Sequence, residues 1–168
     1  MASAAPVTPA THTTNNFPGC NPFAREQWNL NGSNTVNAVF EGSTFSYSVT
    51  FRQFGSCLRG TLTDSGVPVT GPIHGTIQGN HVTFSFTYPA GSIQGTRTFD
   101  GFIRPQWFRQ WFWQGHRWHF RWMFRVGSVS GKWWETGSEH GSGTFSLSKD
   151  AHNACPPWEW WARSCSVF

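Results

Sequence analysis

Apolar and polar residues alternate from Gly71 to Tyr88 on both sides of one central pair. Ile73, Gly75 and Ile77 take turns with His74, Thr76 and Gln78. After Gly79-Asn80, Val82, Phe84, Phe86 and Tyr88 take turns with His81, Thr83, Ser85 and Thr87. Period-two alternation on both sides of a Gly-Asn pair predicts a β-hairpin. A two-residue turn pairs Ile77 with Val82 and gathers the apolar set on one face. A slip of one residue would turn that whole set to solvent, so the register is well specified. The same rhythm appears elsewhere. Val36, Ala38 and Phe40 mark a strand over Thr35–Phe40, and Phe45, Tyr47, Val49 and Phe51 mark a second. Gly55-Ser56 is a turn, followed by a strand over Leu58–Thr63 that Asp64-Ser65-Gly66 ends. Ser92–Ile103 reads as a strand pair or one long bent strand, and Val129–Thr136 and Gly143–Ser148 complete the pattern.

Short Gly-led units recur along this region: GTLTDSG, GTIQGN, GTRTFDG, GKWWETG and GTFSLS. Each enters a strand, and most soon reach a turn. Short strands joined by tight turns predict an all-β, antiparallel meander closing into a β-barrel of about eight strands. A barrel of that size is either packed with side chains or holds one small ligand. Glycines within strands suit sharply coiled barrel strands. Lysine occurs only twice, whereas Phe (16), Trp (11) and Gly (18) abound, which disfavours long amphipathic helices.

The runs GTIQGNHVTFSF, GTRTFDGFI, VSGKWWETG and GTFSLS resemble small lipocalin-like (calycin-like) β-barrel domains of uncharacterised bacterial proteins, over about residues 28–103 and 128–148. The opening Trp28-Asn29-Leu30-Asn31-Gly32-Ser33 is similar to the first strand of avidins, biotin-binding members of the same superfamily. The remaining biotin-contacting residues have no counterpart in this chain. The resemblance implies the fold and a ligand cavity. The expected activity is non-enzymatic binding of an apolar or amphipathic small ligand in the barrel, with Trp28, Tyr47, Phe51, Phe84, Phe86 and Phe99 as inward contacts.

One stretch departs from its surroundings. Arg104–Arg125 reads RPQWFRQWFWQGHRWHFRWMFR, with five Trp, four Phe and five Arg. Trp118, Phe120, Trp122 and Phe124 alternate with Arg117, His119, Arg121 and Met123, as in a strand. Trp107, Phe108, Trp111 and Phe112 recur at helical spacing, so the first half reads as a helical turn or two, or as the other arm of a hairpin about Gly115. No acidic residue lies between Gly101 and Trp134, where Arg104, Arg109, Arg117, Arg121, Arg125 and Lys132 fall. This asymmetry within a net charge of +4 is compatible with an anionic partner. Trp107, Arg109, Trp111, Arg117, Trp118, Arg121 and Trp122 are therefore candidates for surface interaction. Three partners fit: a membrane surface, with Trp at the interface and Arg toward phosphates; single-stranded nucleic acid, by stacking; or a sugar or a cationic or apolar small ligand on the aromatic rings. Two readings without function stand beside these. The aromatics are ordinary core of a strand pair, or the segment is a compensated frameshift. Trp codons are TGG, and a shift by one base turns each into a Gly codon like those of the flanks. Stop codons in the shifted frame of the gene would dismiss that origin.

The rest bounds the chemistry. At 168 residues the chain forms one domain over 17–149, with a flexible Pro/Thr-rich tail over 1–16 and a Trp/Cys-containing tail over 150–168. Cys20, Cys57, Cys155 and Cys165 allow three pairings or four free thiols, and Cys155 with Cys165 would leave Cys20 with Cys57. Four cysteines are compatible with an extracellular protein, though no signal peptide or apolar span is read. His74 and His81 fall beside a turn, and no third ligand matches them, so no metal site is expected. His116 and His119 read as part of a polar face. No nucleophile elbow, zinc-protease or phosphate-loop motif is present. Asp64 and Asp100 read as turn formers, and Glu135 and Glu139 flank a turn. No catalytic residue or cofactor follows from the sequence.

Overall fold

A computed structural model describes residues 19–64, 69–88, 95–137 and 141–149. The two tails, Cys155, Cys165 and Glu139 lie outside the described residues. Eight strands follow one another in the order β1 (Gly32–Phe40), β2 (Ser43–Phe54), β3 (Cys57–Asp64), β4 (Val69–Gln78), β5 (His81–Thr87), β6 (Gly95–Gln114), β7 (Arg117–Gly137) and β8 (Ser142–Lys149). Each pairs antiparallel with the next, and β8 returns to β1 from Asn34↔Lys149 to Val39↔Thr144. The result is a closed eight-stranded barrel. Closure removes the sheet edges that would otherwise invite aggregation.

The opening hairpin forms as its alternation requires. Ile77 pairs with Val82 across Gly79-Asn80, and Gly79 takes a positive φ of 56°. Ile73, Ile77, Val82, Phe84 and Phe86 are all buried. The Gly-led units have a steric cause. A Cβ on Gly60 would come within 1.9 Å of the Thr50 carbonyl oxygen, and one on Gly143 within 1.9 Å of that of Val39. Neighbouring strands pass too closely there for any side chain, which is how short strands coil tightly enough to close.

The core spans the barrel from wall to wall. Phe84 on β5 meets Phe99 on β6 (4.7 Å between centroids), Phe51 on β2 (5.2 Å) and Phe145 on β8 (6.2 Å). Tyr47 on β2 reaches Phe99 on β6 at 6.4 Å. Strands β2 and β6 are four apart in the ring, so these rings meet across the lumen. Burying each large side chain contributes about 1.5–3 kcal/mol.

An N-terminal strap closes one end. A disulfide joins Cys20 to Cys57, the first residue of β3. The Asn21 amide donates to Ser56 Oγ (2.7 Å), and the Gln53 side chain accepts from the Leu30 amide and donates to the Trp28 carbonyl (both 2.8 Å). Trp28 Nε1 donates to Asn80 Oδ1 (2.6 Å), which ties the strap to the β4–β5 turn.

One acidic residue departs from the sequence reading. Asp100 is not in a turn. It lies within β6, where it bonds His81 Nε2 (3.0 Å) and accepts from Thr83 Oγ1 (3.0 Å) on β5. Glu135 lies in β7, two residues before the strand ends at Gly137, in keeping with the sequence reading, and is buried. Cross-strand partners satisfy both carboxylates, His81 and Thr83 for Asp100 and Arg97 for Glu135.

Candidate functional site

Strands β6 and β7 outrun their neighbours. β5 pairs with β6 only through Thr96–Phe102, and β8 pairs with β7 only through Val129–Trp134. Beyond those points β6 and β7 pair with each other, from Arg104↔Ser128 to Gln114↔Arg117. The segment 104–125 is thus a two-stranded ribbon projecting from the strapped end of the barrel. The helical alternative for its first half does not form, because Trp107 to Trp113 continue a strand whose every residue has a cross-strand partner. A two-residue turn ends the ribbon, with positive φ at both Gly115 (58°) and His116 (63°). Such a turn matches the twist of a hairpin.

Register sorts the ribbon into two faces. Pro105↔Val126, Trp107↔Phe124, Arg109↔Trp122, Trp111↔Phe120 and Trp113↔Trp118 share one. Gln106↔Arg125, Phe108↔Met123, Gln110↔Arg121, Phe112↔His119 and Gln114↔Arg117 share the other. The aromatic face is the inner wall of the barrel carried past its end. Val126 at its root is buried with Ile103 and Val129, and Trp28 of the strap meets Phe124 at 5.4 Å. Farther out nothing among the described residues covers it. Trp107, Trp111, Trp113, Trp118, Phe120 and Trp122 are 49–66% exposed. Two pairs of rings meet edge-on, Trp113–Trp118 at 70° and Phe120–Trp122 at 89°, and Trp111 is tilted against Phe120 at 53°. Arg109 lies over Trp122 (4.9 Å) and Phe120 (5.4 Å).

The second face is basic. Arg121 Nε donates to Gln110 Oε1 (2.7 Å) and Arg125 Nε to Gln106 Oε1 (3.2 Å). The same guanidinium groups lie over Phe112 (5.9 Å) and Phe108 (5.4 Å), covering the apolar rings of this face with charge. His119 stacks on Phe112. The sequence candidates for surface interaction therefore divide: Trp107, Arg109, Trp111, Trp118 and Trp122 on one face, Arg117 and Arg121 on the other.

The ligand-contact candidates are placed differently. Tyr47, Phe51, Phe84 and Phe99 are brought together in the lumen, and Phe86 packs beside them against Tyr88 (4.8 Å). Trp28 stands apart from them, in the strap at the ribbon root. At the other end of the barrel sequence reasoning missed Arg97. Its Nε and Nη2 donate to Glu135 Oε1 (2.9 and 2.5 Å), its Nη1 donates to the Tyr47 hydroxyl, and it lies over Tyr47, Tyr88 and Trp133. Burial pushes both tyrosine hydroxyls up. Burial works against the charge of Arg97, but Tyr47, Tyr88 and Glu135 together hold it above its ordinary range. The signal was available: Arg97 and Glu135 occupy inward positions in their strands, where an isolated charge has to find an opposite one.

Among the described residues no three His, Cys, Asp or Glu side chains converge as metal ligands, and no helix is long and apolar enough to cross a membrane. No protein family, curated protein or solved structure matches the chain.

Proposed function

We propose that this is a non-enzymatic binding protein whose barrel is a scaffold and whose working surface is the ribbon 104–125, which docks on an anionic membrane. The carrying observation is the segregation of the ribbon: six exposed aromatic side chains on one face, and Arg117, Arg121 and Arg125 on the other, with no acidic residue on either. A ribbon laid flat sinks its aromatic face about 5–10 Å into the headgroup boundary, which brings the backs of the strands level with lipid phosphates. Trp favours that depth. Each arginine near an anionic surface adds about 1 kcal/mol.

Nucleic acid fits less well. Base stacking needs open ring faces beside the cations that neutralise the backbone. Here the rings pack on one another, edge-on or tilted, and three of the arginines lie on the other face. A small ligand within the barrel would have to part the contacts of Phe84 with Phe51 and of Tyr47 with Phe99, which span the lumen.

Co-sedimentation with vesicles tests the reading. The chain is expected to bind phosphatidylcholine vesicles that contain phosphatidylserine. Replacing Arg117, Arg121 and Arg125 together by Gln should weaken binding by about a hundredfold. Replacing Trp111, Trp118 and Trp122 by Ser should abolish it. Binding unchanged by both triple variants, or a preference for single-stranded DNA over vesicles, would overturn it.

A further inference from the structure

The ribbon has edges as well as faces, and the two edges are unlike. Its closing pair Gln114↔Arg117 flanks a two-residue turn. In such a hairpin that pair exchanges hydrogen bonds, and the exchange alternates down the ladder. The even-numbered residues of β6 from Gln106 to Gln114 therefore bond to β7. The backbone N–H and C=O groups of Trp107, Arg109, Trp111 and Trp113 point outward, and among the described residues no strand lies beside them. Pro105, which has no N–H, ends this row at the barrel. An exposed strand edge of this length is a template for another strand.

We propose that the outer edge of β6 pairs antiparallel with the same edge of a second copy of this chain, about a two-fold axis through Gln110, to make a four-stranded ribbon. Self-complementarity of the sequence carries this choice of partner. With Gln110 facing Gln110 of the second copy, Trp107 faces Trp113, Arg109 faces Trp111, Phe108 faces Phe112 and Gln106 faces Gln114. Like thus meets like, and the only charge on the edge meets an indole, a favourable pair. The outward backbone groups fall opposite one another in this register and form about eight hydrogen bonds. A two-fold contact of this kind closes on itself, so the assembly stops at two. The β7 edge is barred from the equivalent contact. The register that uses its whole length, centred on Arg121, sets Arg117 against Arg125 and Arg121 against Arg121, and like charges directly opposed are destabilising. The dimer doubles the aromatic face but needs no lipid, so it stands apart from the membrane reading.

Cysteine cross-linking and sedimentation in lipid-free buffer test it. In a Cys155→Ser/Cys165→Ser background, Gln110→Cys is expected to give a disulfide-linked dimer under mild oxidation, while Arg121→Cys is not. Trp111→Pro removes an outward N–H without touching the β6–β7 ladder. It should weaken dimerisation about tenfold or more, with the barrel's thermal transition retained. A chain that stays monomeric throughout its soluble range would overturn the proposal. So would cross-linking through Arg121→Cys in preference to Gln110→Cys, or a dimer that Trp111→Pro leaves intact. The cross-linking comparison stands even if the proline variant fails to fold.

Discussion

The inner wall of the barrel and the aromatic face of the ribbon are one surface with two outcomes. Both come from the same alternation in β6 and β7. Phe99 and Trp133 face each other within the barrel, and Trp111 and Phe120 face each other in the ribbon. Phe99 is covered by Phe84, Tyr47 and Phe145 from other strands and is fully buried. Trp111 has Phe120 beside it and remains 56% exposed. Alternation decides which side of a strand is apolar; closure decides whether that side becomes core. β5 begins at His81 and β8 ends at Lys149, while β6 and β7 run on. Past the root, where Ile103, Val126 and Phe124 still meet the core, what they carry adds nothing to the barrel, and that frees it for contact with something else.

The sharpest way to break the comparison is to cut the covered side. Phe84→Ala removes a ring that meets Phe99 on the next strand and Phe51 and Phe145 across the lumen, and should cost about 3–5 kcal/mol in urea unfolding. Glu135→Ala leaves the Arg97 guanidinium buried among Tyr47, Tyr88 and Trp133 without a counter-charge. It should cost about as much, in the range of 3–5 kcal/mol. A loss below about 1 kcal/mol in either variant would mean that the lumen is looser than its cross-wall contacts imply.

A smaller effect comes from the line where the barrel stops. Lys149, at the end of β8, donates from Nζ to the Asn29 carbonyl (2.6 Å). Burial pulls its amine down to about 8 from the ordinary 10.5. A lysine lowered in the folded state costs stability wherever it is protonated in both states, below about pH 8. Between about pH 8 and 10.5 the unfolded chain holds the extra proton, so unfolding free energy rises with pH, by at most about 3 kcal/mol in all. Tyr47 and Tyr88, both raised, oppose this above pH 10, because the unfolded chain releases their protons first. The difference between the wild-type chain and Lys149→Met isolates the lysine. It should change over pH 8–10, and a flat difference would sink the assignment.

Legibility followed the same line. The barrel could be read because its signals are local: alternation, two-residue turns, and Gly-led units whose missing Cβ lets strands meet. The register of Ile77 with Val82 needed nothing else. The ribbon was half legible. Trp118–Phe124 alternate, but in the first arm Phe108 and Phe112 sit on the basic face beside Trp107 and Trp111 on the other. Apolar residues on both faces gave a helical spacing that the strand pairing overrode. Arg97 with Glu135 lay 38 residues apart, and His81 with Asp100 lay 19 apart. No periodicity joins them; only strand order does. The contacts that fill the lumen, Phe51 with Phe84 and Tyr47 with Phe99, were invisible for the same reason.

The smallest expected effect is the most telling about the uncovered side. Trp111→Ser removes a large aromatic whose ring centroid lies 5.2 Å from that of Phe120 and which is 56% exposed. An exposed substitution away from caps and networks changes stability by about 0.5 kcal/mol or less. An aromatic cross-strand pair adds up to about 1 kcal/mol, confined to the ribbon. Urea unfolding followed by far-ultraviolet circular dichroism should therefore shift far less than for Phe84→Ala, although the residue lost is larger. A shift as large as that of Phe84→Ala would mean that the ribbon folds down onto the barrel and hides its aromatic face. The contrast would then vanish, because both faces would be core, and the ribbon would have no surface to offer a membrane.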